Sequence, residues 1–167
     1  MKSDEFRQLQ APLKEQYKND PAAALITLKA SGNVNEGISC KVDTGRALVD
    51  AGLHPATGGT GLQACSGDML LQALVACAGV TLQAVATAIG IELRNATIKA
   101  EGDLDFRGTL GVSKEAPVGF QAIRLYFDID ADINAEQLAS LEKLTERYCV
   151  VYQTITRGVK VETIYRS

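Results

Sequence analysis

Two cysteines stand where their chemistry could matter. Cys77 sits in "ALVACAGVTLQAVA" (73–86), inside a run from Met69 to Ile91 that holds no charge. Cys149 sits in a second helix-like segment, "LTERYCVVYQTI" (144–155). A cysteine attacks only as the thiolate, so its pKa must be depressed by a helix N-terminus or a nearby cation. Cys77 lies well inside its own run, where its own helix dipole helps little. A cation from elsewhere is needed, and the candidates are Arg46 in "DTGRAL", Arg107 in "DFRGTLG" and Arg147 beside Cys149. The competing reading is simple burial. Cysteine is among the most buried residue types, and Cys77 would then be a small apolar filler in a crowded helix.

The remaining reactive residues have plainer readings. Cys65 in "QACSGD" precedes the helix near its electropositive end, as a second reactive thiol or, more in keeping with its setting, a loop residue. Cys40 falls in a strand-like segment and reads as core. His54 in "LHPATGG" could shuttle a proton or donate to a substrate, but the sequence offers it no matching partner, and it reads as a loop-ordering residue. Glu146 and Arg147 read as solvated or interface contacts before a catalytic pair. With one histidine and no C-x-x-C there is no zinc pattern, and no metal or organic cofactor is implied.

The elements that must position these residues are legible from periodicity. Residues 4–19 read as an amphipathic helix interrupted by Pro12 and ended at Asp20-Pro21. "AALITLKASG" and "GISCKVDTG" read as strands joined by a turn around Asn33 to Gly37. "HPATGGTG" is a loop. Ser66 is placed to cap the central helix, with Asp68 in its first turn and Gly90 as its stop after about Ala88. "IELRNATIKAEGDLDF" alternates as a strand, and "RGTLGVSKEAPVG" is a connection. In "FQAIRLYFDID" the residues Ile123, Leu125 and Phe127 share one face. Asn134 and Gln137 form a capping box that opens a second helix, along which Leu138, Leu141, Thr145 and Cys149 step down one face. "GVKVETIYRS" reads as a closing strand. The order describes an α+β fold, with residues 1–21 as a helical extension and 22–167 as the main domain.

Length and charge exclude several roles. The chain has 167 residues, enough for one domain that buries roughly two-thirds of its unfolded surface. A formal net charge of −3 supplies no basic field for nucleic acid, and the absence of tryptophan counts against a base-stacking platform. The first twenty residues are polar and mixed in charge, which suggests a cytoplasmic protein with reduced thiols. The uncharged run is long enough to span a membrane. Gln72, Thr81, Gln83 and Thr87 within it, and the acidic flanks Asp68 and Glu92 without Lys/Arg or aromatic belts, argue instead for a helix buried in protein.

"GGTGLQACSGDMLLQALVACAGVTLQAVATAIGI" resembles the first cysteine helix of the OsmC/Ohr family. A Gly-Gly loop, a short polar start at Ser66-Gly67-Asp68 and a leucine-alanine stretch lead to the first cysteine, Cys77. "LEKLTERYCVVYQTI" resembles that family's second cysteine helix, usually C-P-V, and matches Cys149. Across residues 38–165 the resemblance implies two long central helices packed against wrapped antiparallel sheets in an intertwined homodimer. It further implies a thiol peroxidase for oxidative-stress defence, with a hydroperoxide substrate and a dithiol reductant. Cys77 would attack the peroxide and Cys149 would resolve the sulfenic acid to a disulfide. An arginine would stabilise the thiolate, matched best by Arg46 in "TGR" with Arg107 in reserve. The family's glutamate position is Gly67 here, so Asp68 beside it is the substitute, and C-P-V is replaced by Cys149-Val150-Val151. An alternative from another class is a non-catalytic dimer that holds a small apolar ligand near Cys77.

Overall fold

The computed structural model describes residues 3–35, 39–42 and 51–165. Helix α1 (Ser3–Asn19) runs through Pro12 without the expected interruption and leads through a short 3-10 turn at Pro21–Ala24. Strands β1 (Leu25–Asn35) and β2 (Ser39–Val42) follow, β1 continuing past the turn expected at Asn33. Two short parallel strands, β3 (Ala51–Gly52) and β4 (Ala64–Cys65), flank a 3-10 turn at Pro55–Thr57. Helix α2 (Ser66–Ala88) is capped by Cys65 rather than Ser66, and it ends at Gly90, whose φ of 73° suits a residue without a Cβ.

Strand β5 (Leu93–Asp105), a one-turn helix α3 (Phe106–Thr109) and strand β6 (Ala122–Ala131) complete the sheet region. The main sheet is antiparallel in the order β2-β1-β5-β6. Its two faces follow the period of two: Ala96, Ile98 and Ala100 are buried beneath α2. The other face carries cross-strand ion pairs, Arg124 with Asp103 (2.6 Å) and Arg94 with Asp130 (2.6 Å). This mixed α+β arrangement agrees with the strand and helix order expected from the sequence.

Helix α2 buries Leu71, Leu74, Val75, Ala78, Leu82, Val85 and Ala86 on one side. Among the described residues it alone is long and apolar enough to cross a membrane, and that buried side lies on the sheet. Met69, Leu70, Ala73 and Val80 stand exposed. Helix α4 (Ala135–Tyr148) opens on the expected capping box: Gln137 N–H donates to Asn134 Oδ1 (2.9 Å) and Asn134 N–H to Gln137 Oε1 (3.0 Å).

Two further expectations are corrected. The second helix does not run on through Cys149. It stops there, and a separate helix α5 (Val150–Arg157) begins. The segment 158–165, read as a closing strand, pairs with no strand among the described residues. Its alternating Val159 and Val161, with Ile164 and Tyr165, are exposed. Strand propensity is a preference for a pleated neighbour, and no such neighbour is offered to this segment within the described chain.

Candidate active site

The break between α4 and α5 is the organising feature. Cys149 is at once the C-cap of α4 and the N-cap of α5, with extended backbone angles (φ −71°, ψ 106°). Its N–H still donates to Thr145 O (3.0 Å), and its carbonyl accepts the first bond within α5, from Gln153 N–H (2.9 Å). The Gln153 side chain reaches back to Glu146 O (2.8 Å), satisfying a carbonyl that the break would otherwise orphan. The chain thus turns at Cys149 with its backbone groups accounted for, and the turn aims the start of α5 toward α2.

Cys77 stands at that junction. It is a half-buried free thiol, packed in one apolar cluster with Cys149 and Val151. Burial pushes its thiol up, but four donors outweigh it. These are the N–H of Val151, the thiol of Cys149, the hydroxyl of Thr81 one turn along α2, and the N–H of Val150. Together they hold Cys77 below the ordinary thiol value. Cys149 is 1% exposed; burial, with Cys77 beside it adding to the rise, pushes its thiol up to about 11. The two thiols thus share one apolar cluster and are unequal, Cys77 held below the ordinary thiol value and Cys149 above it.

Arg46 lies outside the described residues. Arg107 is held by Asp105 through a two-pronged pair, with Nη2 to Oδ2 at 2.5 Å and Nε to Oδ1 at 3.0 Å. That pair belongs to a second core around Phe106, Tyr17, Ala24 and Leu110, onto which α1 docks by the Tyr17 hydroxyl to Ala56 O (2.7 Å). His54 stacks on Phe106 (4.9 Å between centroids) and its Nδ1 accepts from Ala56 N–H (3.0 Å), the loop-ordering role expected of it. Arg147 lies over the Tyr148 ring at 5.5 Å.

Asp68 is half-buried in the first turn of α2. Burial raises its pKa and nearby His54 lowers it, with a net rise. Nine residues separate it from Cys77, which in a regular helix is two and a half turns, about 13 Å along the axis and on the opposite side. Cys65 joins the periphery of the cysteine cluster as the backbone cap of α2, without a side-chain capping bond. Among the described residues no cluster of three or more His, Cys, Asp or Glu is arranged to hold a metal.

Sequence reasoning missed Thr81, Val150 and Val151. Thr81 had a signal, since it is four residues from Cys77 and so on the same helix face. The two valines had none, because their contribution is made by backbone N–H groups that any residue but proline carries.

A cavity of about 630 Å³ lies among α2, β6, α4 and α5, and neither Cys77 nor Cys149 is among its lining residues. Ile123, Leu125 and Phe127 of β6, with Leu74 and Leu82 of α2, form its apolar walls. Thr145, one turn before Cys149, lines it with a buried hydroxyl that has no hydrogen-bond partner among the described residues.

A helix-on-sheet domain whose two helix cysteines meet at a helix break is the class of protein defined here. The sequence pattern of the OsmC-like proteins matches residues 59–164, and the chain belongs to that family. No curated protein matches it. Among solved structures, an OsmC-like hydroperoxide resistance protein from Jannaschia sp. CCS1 superposes with a TM-score of 0.61 at 13% identity, covering 86% of this chain and 95% of that one. An OsmC-like protein from Mycoplasma pneumoniae superposes with a TM-score of 0.55 at 16% identity, covering 81% and 86%. At these identities the two structures share the fold with this chain.

Proposed function

We propose that this protein is a cysteine-based peroxidase that reduces hydroperoxides at the expense of a dithiol. The observation that supports the reading is the placement of Cys77 and the buried Cys149, from separate helices, in one apolar cluster, with the first thiol held low and the second held high. The Cys77 thiolate attacks the terminal peroxide oxygen and the O–O bond breaks. The alkoxide leaves and takes a proton to become the alcohol, while Cys77 becomes a sulfenic acid. The Cys149 sulfur then attacks the Cys77 sulfur, its proton departs with the hydroxyl as water, and a disulfide remains. Two electrons from a cellular dithiol return both thiols. The hydroperoxide theme is supported by the Jannaschia structure, which is described as a hydroperoxide resistance protein.

We further read the protein as a cytoplasmic, intertwined homodimer. The exposed apolar side of α2 (Met69, Leu70, Ala73, Val80) and the unpaired segment carrying Val159, Val161, Ile164 and Tyr165 support a second copy covering both. Arg46 stays a candidate partner of Cys77 in that assembly.

The test is intact-mass spectrometry after one equivalent of cumene hydroperoxide. The expected product is lighter by about 2 Da, the loss of two hydrogens, and Cys149→Ser converts it to a product heavier by about 16 Da. An unchanged mass favours the second reading, a non-catalytic binder of a small apolar ligand. The cavity with its unpartnered Thr145 hydroxyl is the observation in that reading's favour.

A further inference from the structure

Helix α2 packs over β1, β2 and β5, and α4 and α5 rest chiefly on α2. Among the described residues the edge strand β6 therefore carries no closely packed helix on its inner face, and the cavity is the space left over it. Ile123, Leu125, Phe127 and Ile129 alternate along β6 and form its apolar floor, about 20 Å from end to end. Leu74 and Leu82 come from the buried side of α2, at 2% and 1% exposure, and not from the face assigned above to a second copy.

The polar lining is more telling than the apolar floor. Thr145 is 3% exposed. A threonine inside a helix can turn its hydroxyl onto the carbonyl four residues back, here Leu141 O. The Thr145 hydroxyl makes no such bond and has no partner among the described residues. A buried hydroxyl left unpaired is costly, so this one calls for a polar atom brought by a ligand. The charged side chains at the cavity are Glu142 and Glu146, both exposed at its rim, and no lysine, arginine or histidine lines it among the described residues. Two rim carboxylates repel an anion. A charge of either sign carried in as far as Thr145 would lose its hydration with no counter-charge beside it.

We propose that this cavity is a binding site, separate from the two cysteines, for an uncharged single-chain amphiphile. The alkyl chain lies along β6, and the oxygen of its head accepts a hydrogen bond from the Thr145 hydroxyl. The volume falls within the range of sites that enclose small ligands. The ligand need not be oxidised, and the site stands with or without a thiol cycle.

The experiment is a titration of the reduced protein, labelled at its isoleucine δ-methyl groups, with decanol and separately with decanoate at neutral pH. Decanol should shift the methyl resonances of Ile123 and Ile129 saturably and bind at least tenfold more tightly than decanoate. Thr145→Val keeps the shape and drops the hydroxyl. It should bind decanol about tenfold more weakly, the loss of one hydrogen bond, yet melt at a higher temperature when ligand-free, because the unpaired hydroxyl is gone. A merely structural role for Thr145 would not move these two readouts in opposite directions. Glu142→Gln with Glu146→Gln should narrow the gap between decanol and decanoate. Equal binding of decanol and decanoate overturns the proposal, as does a Thr145→Val protein that binds decanol like the parent. Methyl resonances that do not shift overturn it too, the result expected if a second copy of the chain fills the cavity. Should Thr145→Val not fold, the comparison of decanol with decanoate in the parent decides. No peroxide is added, so failure here leaves the peroxidase reading standing, and a protein inert to peroxide that binds decanol keeps this site.

Discussion

At the scale of single residues, the two thiols differ by environment alone. Cys149 is enclosed, and Cys77 is open on one side and surrounded by donors on the other. Removing Cys149 therefore separates attack from resolution. Cys149→Ser should consume about one equivalent of peroxide and then stop, where the parent turns over with dithiol present. Continued turnover in a stopped-flow assay of that variant would rule out the two-cysteine cycle.

A different residue pair bears on stability. Arg107 holds the nearly inaccessible Asp105 carboxyl below the usual carboxylate range, against the upward push of burial. Asp105→Asn removes this charge-assisted pair and should lower the melting temperature at pH 7. A depressed carboxylate stabilises the fold above its unfolded pKa of about 3.9, and that contribution disappears as pH falls through the folded value. The gap between parent and variant melting temperatures should accordingly shrink toward pH 3. A constant gap would mean that packing, not charge, sets the cost.

At the scale of elements, the capping box of α4 should be worth about 1 kcal/mol, read as a lower denaturant midpoint for Asn134→Ala with the slope unchanged. The box was legible because both its partners lie within four residues. Helix α2 was legible for a similar reason, since its apolar run, acidic first turn and stopping glycine are all local.

The break at Cys149 was not legible. "YCVVYQ" contains no glycine or proline, and Leu138, Leu141, Thr145 and Cys149 keep helical spacing straight across it. What ends α4 is tertiary: α5 folds back on α2, and Gln153 rescues the carbonyl of Glu146. The cysteine pair itself came from family resemblance, because nothing local links positions 77 and 149. A sequence displays side-chain cations and hides main-chain donors, and Arg46, the first candidate partner of Cys77, lies outside the described residues. The segment 158–165 misled for the opposite reason: its alternation states a preference that only a neighbouring strand could realise.

At the scale of the whole molecule, the exposed apolar side of α2 and the unpaired segment after Arg157 point to the same assembly. Sedimentation at micromolar concentration should show a dimer. A chain ended after Arg157 should dissociate at least tenfold more readily, as expected if about 1.4 kcal/mol or more of the association rests on that segment. Equal sedimentation of the two chains would place the interface elsewhere.

The unequal enclosure of the two sulfurs has a consequence for timing. Cys149 is 1% exposed and Cys77 is the open one. In the proposed cycle the oxidant enters at Cys77, and the dithiol, finding Cys149 shielded, must also enter there. One doorway serves both visitors, so neither can be admitted while the other occupies it. The steady state should follow a substituted-enzyme pattern, with parallel lines in double-reciprocal plots and inhibition by peroxide against dithiol at high concentration. Intersecting lines would reveal a second entrance, through which the dithiol reaches the shielded sulfur.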